Sequence, residues 1–366
     1  MEFHEMLRKM VIEKASDLFI KVGTPPSLRV DGTIRFLDCD EITVQDAMEI
    51  YEIIEDSKKE GFRSKDLGDI DVAYEIPGIG RFRVNIFRQR GNLGFVLRHV
   101  ESNVPAFDDL GLPSDTLKKL CSNQRGLVLL TGQTGSGKST TLASLIRFVN
   151  ETYNKHVITI EDPIEFVFRD RKSIIEQREI GTDISDFLTA LKMAMRQSPD
   201  VILIGEMRDR ETMEAALSAA ETGHLVFSTL HTVNATQTIE RIINFFPPHQ
   251  HDLIRMQLSL VLKGVVSQRL IPRKNEGGRV PAVEMMINSP TIQEMLSQGK
   301  TLELYNAVKD GGYYGCQTFN QSLKKLYQDD IIDLDEAMAF ADNPDELKLE
   351  IKGVYKGTAA DLEFNY

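Results

Sequence analysis

The 366-residue sequence predicts an α/β protein in two parts, and three observations carry that expectation. A glycine-rich loop ending in Lys138-Ser139 follows the apolar run 127–130 directly. Further short, largely apolar runs, 157–160, 201–204 and 225–228, alternate with helical stretches. The first hundred residues instead mix helices with runs joined by short turns. Short, wholly apolar strands separated by helices indicate a parallel sheet covered on both faces. At roughly 150 residues per domain, the length corresponds to two or three units.

In the first unit, Phe3, Met6, Leu7, Met10 and Val11 recur on one helical face, which predicts a helix over 2–14. A strand at 16–22 and a turn at 23–26 follow. Strands at 27–30 and 33–37 flank Asp31-Gly32, a two-residue hairpin signal. A helix is expected over 44–59, then strands at 69–76, 81–88 and 93–100, separated by Pro77-Gly78 and Gly91-Asn92. In the run 81–86, period-two alternation puts Arg81, Arg83 and Asn85 on one face, with Phe82, Val84 and Ile86 toward the core. Residues 1–100 are therefore read as an α+β domain. The stretch 101–113, with Pro105, Gly111 and Pro113 among acidic residues, is read as a linker. Residues 114–290 form the phosphate-loop domain, and 291–350 a helical region with helices at 291–299, 318–328 and 333–341. The tail, 351–366, has no usable pattern and is expected to be disordered.

Composition excludes several classes. The chain has 43 basic and 55 acidic side chains, a net −12, which argues against a duplex-DNA binder that works by bulk phosphate neutralisation but leaves room for a local basic patch. No run of about 18 apolar residues is present, so no transmembrane segment is expected. The charged start lacks the apolar core of a secretory signal. Cys39, Cys121 and Cys316 are odd in number and far apart, as in a cytoplasmic protein with reduced thiols, and imply neither a disulfide frame nor a zinc site.

The chemistry begins at Gly132-Gln133-Thr134-Gly135-Ser136-Gly137-Lys138-Ser139, followed by Thr140, which fits G-x-x-x-x-G-K-[ST]. Small residues let backbone N–H groups close around a polyphosphate, and the helix that follows adds its dipole. Lys138 is expected to reach the β- and γ-phosphates of ATP, and the Ser139 hydroxyl to hold Mg²⁺. Hydrolysis also needs acids at neighbouring strand ends. The first cluster is Glu161-Asp162-Pro163-Ile164-Glu165, and spacing does not choose between Glu161 and Glu165 as base. The second is Glu206, after the run 201–204, where a Walker B acid belongs. His224 and His231 bracket the run 225–228 from opposite ends, which excludes joint metal ligation and leaves each as a structural or phosphate-sensing histidine. His249 and His251 are read as solvated. Arg81, Arg83, Arg196 and Arg241 are either solvated or neutralisers of phosphate charge.

Together these segments resemble the secretion-type hexameric ATPases and, within them, the type IV pilus retraction ATPases of the PilT/PilU family. The phosphate loop matches the Walker A motif, 158–165 the Asp box, 201–208 the Walker B motif, and 220–232 the His box. The similarity runs collinearly from 16–18 and 80–84 to about residue 350. It implies a PAS-like N-terminal domain, a RecA-like core with a C-terminal helical extension, and a homohexamer with ATP and Mg²⁺ between subunits. It assigns Glu165 as catalytic glutamate and Glu206 to the Walker B role. Lys138 and His231 join them as catalytic residues. Arg81, Arg83, Arg241 and His224 are added to the nucleotide contacts. Where the retraction motors carry Ala-Ile-Arg-Asn-Leu-Ile-Arg-Glu, this chain has Thr-Ile-Gln-Glu-Met-Leu-Ser-Gln at 291–298. Segments 1–3, 97–105, 241–247 and 341–349 look more like the PilU branch, understood as accessory to a PilT-type motor. The implied setting is cytoplasmic, at the inner-membrane face of the pilus base. The implied partners are a platform protein and a PilT-type motor. Two other readings are kept: a nucleotide-binding scaffold that barely hydrolyses, and a nucleic-acid translocase.

Overall fold

The computed structural model describes residues 1–30, 32–56, 69–100, 103–275 and 277–353. They fall into two units. The first takes the described residues up to 103 together with 163–168 and 181–183. The second takes 104–162, 169–180 and the described residues from 184 onward.

In the first unit, helix α1 (Phe3–Ile12) leads into β1 (Asp17–Lys21), β2 (Ser27–Val30) and β3 (Thr33–Phe36). Helix α2 (Val44–Asp56) is followed by β4 (Ile70–Ile76), β5 (Gly80–Gln89) and β6 (Asn92–Val100). The six strands form one antiparallel sheet in the order β3-β2-β1-β6-β5-β4. Phe82, Val84 and Ile86 are buried with Leu18, Ile20, Phe95 and Leu97, and the apolar face of α1 packs into the same core. The alternation expected over 81–86 is the one observed, with Arg83 exposed.

The second unit begins with α3 (Ser114–Cys121), β7 (Gly126–Thr131), α4 (Lys138–Thr152), β8 (His156–Glu161) and β9 (Ile174–Glu179). Then come α5 (Phe187–Ala194), β10 (Val201–Ile204), α6 (Arg210–Glu221), β11 (Leu225–Leu230), α7 (Ala235–Asn244) and α8 (His251–Val261). Strands β12 (Leu262–Pro272) and β13 (Arg279–Ile287) precede five helices, α9 (Pro290–Gln298), α10 (Leu304–Asp310), α11 (Phe319–Gln328), α12 (Leu334–Ala339) and α13 (Pro344–Ile351). The sheet runs β13-β12-β7-β11-β10-β8-β9 and is parallel except for the β12–β13 hairpin. Strands β7, β10 and β11 are buried along their whole length, as expected of strands covered on both faces. The carboxyl ends of β7, β8, β10 and β11 share one edge, where an open parallel sheet places its ligand crevice.

The structure departs from the sequence expectations in several places. Strands β9, β12 and β13 were not foreseen. β9 is a polar edge strand without apolar alternation, and β12 begins at the residue after α8, with no separate turn between helix and strand. The expected linker contains the boundary between the two units, and from 104 onward it packs into the second. Val104, Phe107 and Leu112 are buried, and the carbonyls of Val104 and Pro105 accept hydrogen bonds from Arg147 and Ser144 of α4. Helix α1 stops at Ile12, short of the expected Lys14, whose φ is +52°. Parts of other expectations lie outside the described residues: Asp31 of the hairpin turn, the end of the helix over 57–59, positions 101–102, and the tail from 354.

Candidate nucleotide site

β7 delivers the chain to Gly132 at the carboxyl edge, and α4 begins at Lys138. The loop between them is closed against β12. Gly132 and Gly137 have φ of +144° and +89°, which L side chains rarely adopt. A Cβ on Gly132 would lie 2.5 Å from the Gln268 carbonyl oxygen and from Ser136 Oγ. One on Gly137 would lie 2.7 Å from Gln268 Nε2. Thr141 Oγ1 donates to Gln268 Oε1 at 2.8 Å, so the first turn of α4 is tied to the same side chain.

Two features of the loop fit an anion. Lys138 is 8% exposed, and its Nζ donates to the carbonyls of Gly132 (2.7 Å) and Gln133 (2.9 Å), bonds that phosphate oxygens can replace. Ser136 Oγ is buried with no hydrogen-bond partner, although buried polar groups are almost always paired. A cleft of about 520 Å³ opens beside the loop, lined by Gly132 to Ser136, Val233, Leu270, Arg279 and residues 339–342. Arg269 on its wall donates to the Phe340 carbonyl, pairs with Asp342, and lies 3.8 Å over the Phe319 ring.

The parallel register brings the other strand ends to the same edge. Ile160, Ile204 and Ser228 pair across β8, β10 and β11, so Glu161, Glu206 and His231 follow at adjacent ends. Glu161 is engaged within its own neighbourhood, accepting from Thr159 Oγ1 (2.6 Å) and Gln177 Nε2 (3.1 Å). Glu206 meets Arg208 Nη2 at 2.8 Å and His231 Nε2 at 3.2 Å. Burial raises the Glu206 pKa, but the hydrogen bonds and charges of Arg208 and His231 outweigh it, so the carboxyl sits below its ordinary value. An ionised carboxylate and the Ser139 hydroxyl are hard oxygen donors of the kind Mg²⁺ takes.

Other candidates are placed elsewhere. Glu165 is exposed and belongs to the 163–168 segment of the first unit. Arg81 and Arg83 lie on β5 of that unit, 3.9 Å from Glu75 and 3.5 Å from Asp71 of β4. Arg241 sits in the last turn of α7, over the Phe245 ring at 4.9 Å. His224 precedes β11 at the amino edge of the sheet, opposite the loop, with Nδ1 2.9 Å from the Ala219 carbonyl, so its own subunit's loop is out of its reach. His251 is half-buried, with Nε2 2.9 Å from the Phe246 carbonyl, which corrects the expectation that it is solvated. Gln268, Arg208 and Arg269 were missed by the sequence reading. The signal for Arg208 was its place two residues after Glu206; for the other two there was none while β12 was unseen.

Comparison with known proteins gives the architecture a family. The chain is 42% identical to the type IV pilus ATPase PilU of Pseudomonas aeruginosa over 353 residues, 96% of this chain and 92% of that one. It is also 42% identical to that organism's type IV pilus retraction ATPase PilT over 346 residues, 94% of this chain and 99% of the other. Among solved structures, the pilus retraction motor PilT with bound ADP superposes with a TM-score of 0.87 at 44% identity, covering 95% of this chain and 99% of that one. The ATPase DotB of Legionella pneumophila gives 0.78 at 29%, covering 96% and 95%. The α/β fold expected from the sequence, an N-terminal α+β unit before a RecA-like core, is the one observed. The type II/IV secretion system protein model matches residues 2–326, and the chain belongs to that family.

Proposed function

We propose that the protein is an ATP-hydrolysing motor subunit that acts, as a homohexamer, in type IV pilus retraction. The observation that carries this reading is the closed phosphate loop, with its unpartnered Ser136 hydroxyl, on the same sheet edge as the Glu206–His231 pair. Support comes from 42% identity to PilU and to PilT over nearly the whole chain. Gly132 to Thr140 hold the phosphates of ATP, and Lys138 neutralises the β- and γ-oxygens. Ser139 would hold Mg²⁺ through the nucleotide, and the ion would supply further neutralisation of charge there. Glu165 orients or deprotonates the attacking water. Glu206 is the Walker B acid, kept ionised by Arg208 and His231, and His231 senses the state of the phosphate. Arg81, Arg83 and Arg241 neutralise charge on nucleotide between subunits. His224 has no nucleotide contact within its own subunit. The partners are a platform protein of the inner membrane and a PilT-type motor, at the cytoplasmic face of the pilus base. Among the described residues no helix is long and apolar enough to cross a membrane.

One observation favours a second reading, an accessory subunit that binds nucleotide and hydrolyses little alone. In α9, the positions matching the two arginines of the retraction-motor pattern are Gln293 and Ser297, one exposed and one half-buried. Steady-state ATP hydrolysis by the purified chain, with Lys138→Ala as control, separates the two. A motor turns over ATP, and the variant loses at least about a hundredfold of that rate. Binding without turnover by the parent identifies the accessory. Stimulation by single-stranded DNA would instead indicate a translocase.

A further inference from the structure

A buried polar line crosses three strands beside the phosphate loop. The sheet register sets Ser267 of β12 opposite Thr131 of β7 on one side and opposite Glu284 of β13 on the other. Thr131 Oγ1 donates to Ser267 Oγ at 2.9 Å, and Ser267 Oγ reaches toward Glu284 Oε1 at 3.5 Å. The same Oε1 accepts the Ala235 N–H at 2.6 Å. Thr131 and Ser267 are fully buried, and Glu284 is 4% exposed.

The two ends of this line are functionally distinct places. Thr131 is the residue immediately before Gly132. Ala235 is the first residue of α7, and the four residues before it include His231, which meets Glu206, and Val233, which lines the cleft. The first N–H groups of a helix have no partner within it, and Asn234 already caps a different one, that of Gln237. An apolar residue would fill the Glu284 site without the cost of burying a carboxyl. A carboxylate there supplies the acceptor that the helix start lacks, and the helix dipole favours it.

We propose that Glu284 is a positioning residue that couples nucleotide on the phosphate loop to the 231–235 segment, through Ser267 on one side and the start of α7 on the other. The proposal deepens the nucleotide-site reading above and rests on it. Burial is the main influence on this carboxyl and pushes it up to about 7. The Ala235 N–H opposes it, Asp342 adds to it, and Arg269 and the Ser267 hydroxyl oppose it. The line therefore has two protonation states near neutrality. Charged, Glu284 only accepts; neutral, it also carries a proton to donate.

Hydrogen exchange on the full chain with and without Mg·ADP tests this without depending on turnover. In the parent, ADP should slow exchange across both 132–140 and 231–238. In Glu284→Leu, which removes the acceptor, protection of 132–140 should persist while that of 231–238 falls by about tenfold. Glu284→Gln, which keeps the acceptor and cannot ionise, should restore most of that protection. It should also abolish the parent's dependence of that protection on pH between about 6 and 8. Equal ADP protection of 231–238 in parent and Glu284→Leu overturns the proposal and leaves the nucleotide site standing. So does an unchanged pH dependence in Glu284→Gln, an arm that remains should the leucine variant fail to fold. If ADP protects neither segment of the parent, the nucleotide reading fails and takes the proposal with it.

Discussion

Glu206 shows how a half-buried acid stays ionised. Burial alone would raise its pKa, and Arg208 is the largest influence opposing that, ahead of the His231 charge. Removing the guanidinium leaves burial less opposed, so the Glu206 pKa rises. The acid limb of the turnover–pH profile should then move to higher pH in Arg208→Ala, since the carboxylate is lost earlier as pH falls. A profile superimposable on the parent's would show that Glu206 ionisation does not limit turnover. At this scale the phosphate loop was legible because its requirements are local: glycines for positive φ, one lysine and one hydroxyl at fixed spacing. The choice between Glu161 and Glu165 was not legible from spacing. The structure separates them, Glu161 bonded to Thr159 and Gln177 and Glu165 exposed in the 163–168 segment.

Among the elements, the β12–β13 hairpin matters most for the site. Gln268 shapes the loop from β12, while Ser267 and Glu284 link it to α7. A raised acid pKa in the folded state has a defined sign for stability. Folding holds the Glu284 proton more tightly than the unfolded chain does, so its contribution is intact below about 4.5 and is lost as pH rises through about 7. Going from about pH 5 to about pH 8 should cost the parent on the order of 2–3 kcal/mol more than Glu284→Gln. Denaturant titrations followed by circular dichroism measure this, since the chain has no tryptophan to follow by fluorescence. Equal pH dependence in the two proteins would place the Glu284 pKa near its ordinary value. The hairpin escaped the sequence reading because β12 starts at the residue after α8, with polar residues in both, so the change of period is not set off by a separate turn.

For the whole molecule, the residues assigned to chemistry are divided between two units. The loop, Glu206 and His231 lie in the second; Glu165, Arg81 and Arg83 lie in the first. On the reading proposed above, with nucleotide between subunits, the loop holds the phosphates, Arg81 and Arg83 neutralise charge on the nucleotide, and Glu165 acts on the attacking water. Glu165→Gln should therefore leave ADP affinity within about twofold of the parent while lowering turnover by about tenfold or more. Titration of ADP alongside steady-state hydrolysis checks both, and loss of affinity equal to the loss of rate would reassign Glu165 to binding.

The sequence by itself determined the two-part α/β architecture, the phosphate loop and the family resemblance, because each is written in short-range periodicity or contiguous motifs. Only the tertiary structure decided that the 104–113 stretch is packed onto α4, that Gln268 closes on the phosphate loop, and that Thr131, Ser267 and Glu284 form one buried line. Those facts depend on strand order and register. Pairing between residues more than a hundred positions apart is set by the packing of the whole core, and no local pattern records it.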